Sequence, residues 1–166
     1  YFSCMRAAWI FFVLLLLLAF SPKKDQHPEH FVFDHEHAFS ADEVARLDTL
    51  VRGHELRTTN EIALVTTTSY HGQPDLRSFA ATCGDSLGVG KKHKNNGVII
   101  VFSKKLREVF IATGLGTEQV MADARCQGFI DSLMIPLFKE DMYFDGVWAG
   151  SCAIVNHLEL PGNEIR

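Results

Sequence analysis

Five consecutive residues, Val98-Ile99-Ile100-Val101-Phe102, carry no polar alternation at all. A strand of that kind must be covered on both faces, so the chain needs apolar layers above and below a sheet. Only Ser103 to Arg107 separate it from a second strand-like run, Glu108 to Thr113, and so short a connection predicts an antiparallel hairpin. Glu61 to Thr67, with Ile62, Leu64 and Val65 among threonines, reads as a further strand.

The covering layers are legible as helices. Ser40 followed by Glu43 is a capping box, in which each side chain satisfies the other residue's free backbone N–H. It opens a helix with Val44, Leu47, Leu50 and Val51 on its apolar face, fading near Thr58. Leu76, Phe79, Ala80, Cys83 and Leu87 fall at helical spacing, as do Cys126, Phe129, Ile130, Leu133 and Met134, a run expected to stop at Pro136. Val147, Trp148, Cys152, Ile154, Val155 and Leu158 mark a last helix. Together these predict an α/β fold, a three-layer α/β/α sandwich with a small mixed sheet covered by helices on both faces.

The strand ending at Thr113 breaks at Gly114-Leu115-Gly116 and turns into helical spacing, with Glu118 and Asp123 close by. A turn like this leaves backbone N–H groups free at one end of a sheet. It is not a dinucleotide fingerprint, because Gln119 stands where the third glycine belongs, and it lacks the Gly-Lys-Ser/Thr of a phosphate loop.

Before the domain, Arg6 precedes an apolar run from Ala7 to Phe20, followed by Ser21-Pro22-Lys23-Lys24. The run is short for a bilayer span and has the layout of a secretory signal peptide, with an uncleaved anchor as the rival. Translation is expected to start at Met5. The organisation expected is a signal over 1–24, an extended or edge segment over 25–39, a domain over 40–162 and a tail over 163–166. The formal net charge of −4 over 166 residues argues against a nucleic-acid partner. Cys83, Cys126 and Cys152 have no close-paired spacing and read as small buried hydrophobes, with a single disulfide as the alternative.

Four pieces, in order, resemble the TPM-domain family, the fold shared by a thylakoid-lumen phosphatase, a photosystem II repair factor and a receptor accessory protein. They are Val32-Phe33-Asp34 with Phe39-Ser40; Gly88-Val89-Gly90-Lys91-Lys92 with Asn95-Asn96-Gly97-Val98; Gly114-Leu115-Gly116-Thr117-Glu118 with Asp123-Ala124; and Pro136-Leu137-Phe138 with Asp141-Met142-Tyr143 and Gly146. Leu87 departs from the tryptophan common in the family before its Gly-x-Gly. The resemblance implies a metal site near the glycine turn and the opening acid, so Asp34, Glu118 and Asp123 are grouped as its ligands. Carboxylate oxygens suit a hard cation, Ca2+ or Mg2+.

Glu118 and Asp123 would point about 140° apart on one unbroken helix, so their convergence requires a break, with Asp123 as the cap of a helix beginning at Ala124. On this reading the protein is an exported accessory or binding module of the cell envelope, in the periplasm, a lumen or outside the cell. Its partner would be an envelope or membrane protein, with the membrane itself involved only through an uncleaved signal. The alternative is a metal-dependent phosphomonoesterase using the same three acids.

Nucleophile motifs do not support the alternative. Cys126 and Cys83 lack the arginine of a cysteine phosphatase loop, no Asp-x-Asp-x-Thr/Val or Arg-His-Gly occurs, and Gly84-Asp85-Ser86-Leu87 lacks the Asp-x-x-His its esterase class needs downstream. His54-Glu55 lacks the second histidine of a zinc protease helix. The histidines from His27 to His37 read as a solvated segment near a processed terminus.

Overall fold

The computed structural model describes residues 30–165, so the signal segment, Met5 and His27 lie outside the described residues. Four strands form one sheet in the order β1 (Val32–Asp34), β2 (Glu61–Thr66), β3 (Gly97–Ser103) and β4 (Glu108–Thr113). The first three are parallel and β4 returns antiparallel through the expected hairpin. β1 comes from the 25–39 segment, read as extended linker or edge, and it forms one edge of the sheet.

Alternation sorts the strands onto two faces. Ile62, Leu64, Val98, Ile100, Phe102 and Ile111 meet helix α1 (Ala41–Thr58) and the C-terminal helix α6 (Tyr143–Leu158), together with the segment between β4 and α6. Ala63, Val65, Ile99 and Val101 meet α2 (Leu76–Leu87). The sandwich therefore has three layers, as β3's uniform burial requires. Burying Ile100 or Ile154 completely contributes roughly 2 kcal/mol each.

The two crossovers have opposite hands. β1 to β2 and β2 to β3 step the same way across the sheet between parallel strands, yet α1 lies on one face and α2 on the other. One of them must run against the usual right-handed rule. Consequently the chain leaves the carboxyl ends of β1 and β2 toward opposite faces, an arrangement that ordinarily opens a binding crevice between two neighbouring strands.

Caps behave as read at α1, where the Ser40 hydroxyl accepts from the Glu43 N–H and the Glu43 carboxylate accepts from the Ser40 N–H. Pro136 does not stop its helix. Helix α4 (Asp123–Phe129) passes into a π-turn at Ile130–Met134 and on into α5 (Ile135–Lys139). The wider turn, in which the Ile135 N–H bonds back to the Ile130 carbonyl, accommodates a proline that has no N–H and would crowd a normal turn. Among the described residues Cys83, Cys126 and Cys152 are free thiols, and no helix is long and apolar enough to cross a membrane.

Candidate functional site at the carboxyl end of the sheet

The two ends of the sheet hold different halves of the chain's motifs. At the amino end of β2 and β3, the glycines of two motifs let backbone cross backbone. A Cβ at Gly97 would overlap the Val89 carbonyl, and one at Gly116 would overlap the Lys94 carbonyl. The Gly114 N–H donates to the Gly97 carbonyl, while the Gly116 N–H and the Thr117 N–H both donate to Asn95. Side chains finish the joint: the Lys91 ammonium reaches Glu61 at 2.5 Å and Glu55 at 3.0 Å, the Gly90 N–H donates to Glu61, and Asn96 bridges Thr59 and Asn60. Burial pulls the Lys91 ammonium down, but the Glu61 and Glu55 carboxylates outweigh it and leave its pKa raised. These N–H groups are already used, so the turn is not a cradle for a ligand.

The three expected ligands are not brought together. Asp34 is level with Thr66, Phe102 and Val109, whereas Gly114 follows Thr113, which pairs with Val98 at the opposite end. Five residues of strand separate the two levels, about 16 Å at the rise of a strand. Asp34 spends its carboxylate on the Thr66 hydroxyl at 2.6 Å and on the Ala38 and Phe39 N–H groups, each at 3.0 Å. This plugs the crevice that the opposed crossovers would open.

Glu118 ends the short helix α3 (Leu115–Glu118) and is exposed. The break between Glu118 and Asp123 exists, but Ala122 holds the cap position, and Asp123 lies in the first turn of α4, paired with Arg77 at 3.3 Å. Among the described residues no group of three or more His, Cys, Asp or Glu is arranged to hold a metal ion. The donor set expected for Ca2+ or Mg2+ therefore does not fit one site.

A cavity of about 370 Å3 does open at the carboxyl end, beside the last turn of β3. Its floor is aromatic: the Phe102 ring lies 4.9 Å from Phe138 and 5.6 Å from Tyr143. Gly146 makes room for Phe138, since a Cβ there would meet its ring at 2.5 Å. The π-turn sets the direction in which α5 delivers Ile135 and Phe138 to this cavity; such turns recur at functional sites.

The rim is cationic. Arg107 and Lys139 line it, and the Lys104 ammonium sits 4.8 Å over the Tyr143 ring. Glu36 holds the hairpin by accepting from the Lys104 and Lys105 N–H groups at 2.8 and 2.7 Å, which places Arg107 against the pocket. Among the described residues neither Arg107 nor Lys139 stands in an ion pair with a carboxylate. Asp141 instead takes the Tyr143 hydroxyl at 2.8 Å, and this bond, with burial adding to it, raises the phenol's pKa against the opposing pull of Arg107. Arg107 and Asp141 face the cavity from left-handed backbone, φ 58° in both, a conformation that costs a residue with a Cβ roughly 1 kcal/mol.

Sequence reasoning read Phe102 only as core and Ser103 to Arg107 only as a connector. The available signal was the late motif, which carries Phe138, Asp141 and Tyr143. Nothing in the sequence showed that the opening and late motifs would meet around the end of one strand.

The family model for the TPM domain matches residues 32–157. The chain belongs to the TPM-domain family. It is similar to the solution structure of the N-terminal domain of a P. gingivalis protein, with 28% identity over 78% of this chain and 82% of that one, at a TM-score of 0.69. It also shares its fold with a protein from the psychrophilic bacterium Bizionia argentinensis (20% identity, 76% and 93% covered, TM-score 0.63). The N-terminal domain of a Corynebacterium glutamicum protein is similar in the same way (13% identity, 81% and 83% covered, TM-score 0.62). No curated protein matches the chain.

Proposed function

We propose that this TPM domain is an exported binding module of the cell envelope that holds a protein partner at the carboxyl end of its sheet. The apolar run after Arg6 supports export. The observation that carries the binding reading is the aromatic-floored, cation-rimmed cavity at the end of β3, the position at which α/β sheets usually bind. The same rim would suit a phosphate group, which keeps a phosphomonoesterase as the second reading. Against it, Asp34 and Glu118, two of the carboxylates that such an enzyme was expected to share, stand at opposite ends of the sheet, and Asp123 is paired with Arg77.

The three thiols among the described residues are poorly suited to act as its nucleophile. Burial pushes Cys126 up to about 11, with Asp123 adding to the rise, and burial raises Cys83 and Cys152 as well.

The test installs a photo-crosslinking side chain at Lys105 or at Lys92 of the full chain in the producing cell. Adducts of defined mass from position 105 and none from position 92 are expected; the reverse pattern overturns the reading. Turnover of an aryl phosphate by the purified chain, abolished in Arg107→Gly, would make the protein an enzyme instead.

A further inference from the structure

We infer that the cavity at the end of β3 is a socket for one aromatic side chain of an acidic peptide segment. The ring would lie against the accessible sides of Phe138 and Tyr143, above the buried Phe102, and flanking carboxylates would pair with Arg107 and Lys139. This rests on the proposed binding role and specifies what the partner presents.

The size fits. About 370 Å3 accommodates a single side chain with its backbone, at the small end of ligand-binding cavities and too small for a folded element. The chemistry fits as well. Three aromatic rings already meet at offset or tilted angles, so a fourth gains both apolar burial and ring contact.

Charge complementarity selects the flanks. The two rim cations stand without carboxylate partners among the described residues, in a protein whose formal net charge is −4. Asp141 also lines the cavity and keeps its charge while accepting from the Tyr143 hydroxyl, as Glu36 does while accepting from two backbone N–H groups of the hairpin, so Arg107 and Lys139 outnumber the one carboxylate of the lining. A guanidinium binds a carboxylate through two parallel hydrogen bonds, which gives the peptide a register as well as an attraction.

Backbone geometry points the same way. Arg107 sits at φ 58° in a connection where glycine or asparagine would be comfortable. Its side chain is kept there at a cost to the fold, and the cost separates binding from stability. Arg107→Gly should fold at least as well as the wild type and bind worse.

The experiment titrates the full chain with a fluorescent five-residue peptide carrying four acidic residues around a central phenylalanine. Two control peptides replace that phenylalanine with alanine or all four acids with lysine. Saturable binding of the first peptide is expected, weakened roughly tenfold by the alanine control, abolished by the lysine control, and weakened roughly tenfold by Arg107→Gly at an unchanged or raised melting temperature.

Equal binding of the phenylalanine and alanine peptides would mean simple charge attraction and overturn the socket. So would unchanged binding by Arg107→Gly. Binding of phosphatidylglycerol vesicles in place of the acidic peptide would assign the face to lipid headgroups and overturn the peptide. Loss of the socket with crosslinks still arising from position 105 would leave the binding face standing and remove only this specificity. Absence of both would remove the face.

Discussion

The amino end and the carboxyl end of this sheet are built from equally distinctive motifs, yet they spend their polar groups in opposite ways. At the amino end the Gly114 and Gly116 N–H groups donate to the Gly97 and Asn95 carbonyls, the Gly90 N–H and the Lys91 ammonium to Glu61, and the Asn96 amide to Thr59 and Asn60. At the carboxyl end Asp34 and Glu36 are used in the same internal fashion, but Arg107 and Lys139 face a cavity instead. A motif whose donors are satisfied internally holds the fold, and charges left facing a cavity are what remains for a partner.

Substitutions should separate the two ends, and the largest effect belongs to the glycine joint. Gly97→Ala drives a Cβ into the Val89 carbonyl, neither of which can swing away. A loss of about 4 kcal/mol or outright failure to fold is expected, read from the midpoint of chemical denaturation. Lys91→Met should follow, costing about 3 kcal/mol, because it leaves the Glu61 carboxylate, 2% exposed, without its cation. Glu61→Leu in the Lys91→Met background should recover part of that loss, since it removes the buried carboxylate left without a cation, offset by the Gly90 N–H that loses its acceptor.

Acid should loosen a third contact, the clasp between α1 and the end of α6. His54 is fully buried with Nδ1 2.8 Å from Glu159, and Arg57 also holds that carboxylate at 2.7 Å. Burial lowers the His54 pKa below 6.5 despite the opposing pull of Glu159, so the folded protein keeps the ring neutral. Below pH 6.5 the unfolded chain takes up a proton that the folded chain refuses, and stability falls until the lowered pKa is reached. Glu159, lowered by the hydrogen bonds from Arg57 and then His54, contributes stability that is lost further down, as pH falls from 4.5 through its folded value. Melting temperatures measured across this range should fall with acid, and His54→Gln should flatten the part nearest pH 6.5.

The smallest stability effect is expected at the carboxyl end. Arg107→Gly removes a left-handed backbone penalty and should raise stability by up to about 1 kcal/mol.

The sequence displayed the layers clearly, because β3's unbroken apolar run, the capping box at Ser40 and Glu43, and the short hairpin are local signals. Pro136 misled because the helix widens into a π-turn over Ile130–Met134, which accommodates a residue without an N–H and has no local sequence signal. The candidate site was hidden for a topological reason. Asp34 and Gly114 both end strands, and only the antiparallel return of β4 puts them at opposite ends of the sheet. Conversely, Phe102, Arg107, Phe138 and Tyr143 span 42 residues of sequence and share no periodicity, so only the folded chain gathers them.

One titration reads both ends at once: the acidic phenylalanine peptide added to the isotopically labelled full chain, with backbone amide resonances followed by NMR. Shifts should appear at Arg107, Lys139 and Tyr143 while Gly90, Gly97, Gly114 and Gly116 stay in place. Shifts centred on those glycines, with the carboxyl end unmoved, would contradict the division of labour argued for the two ends.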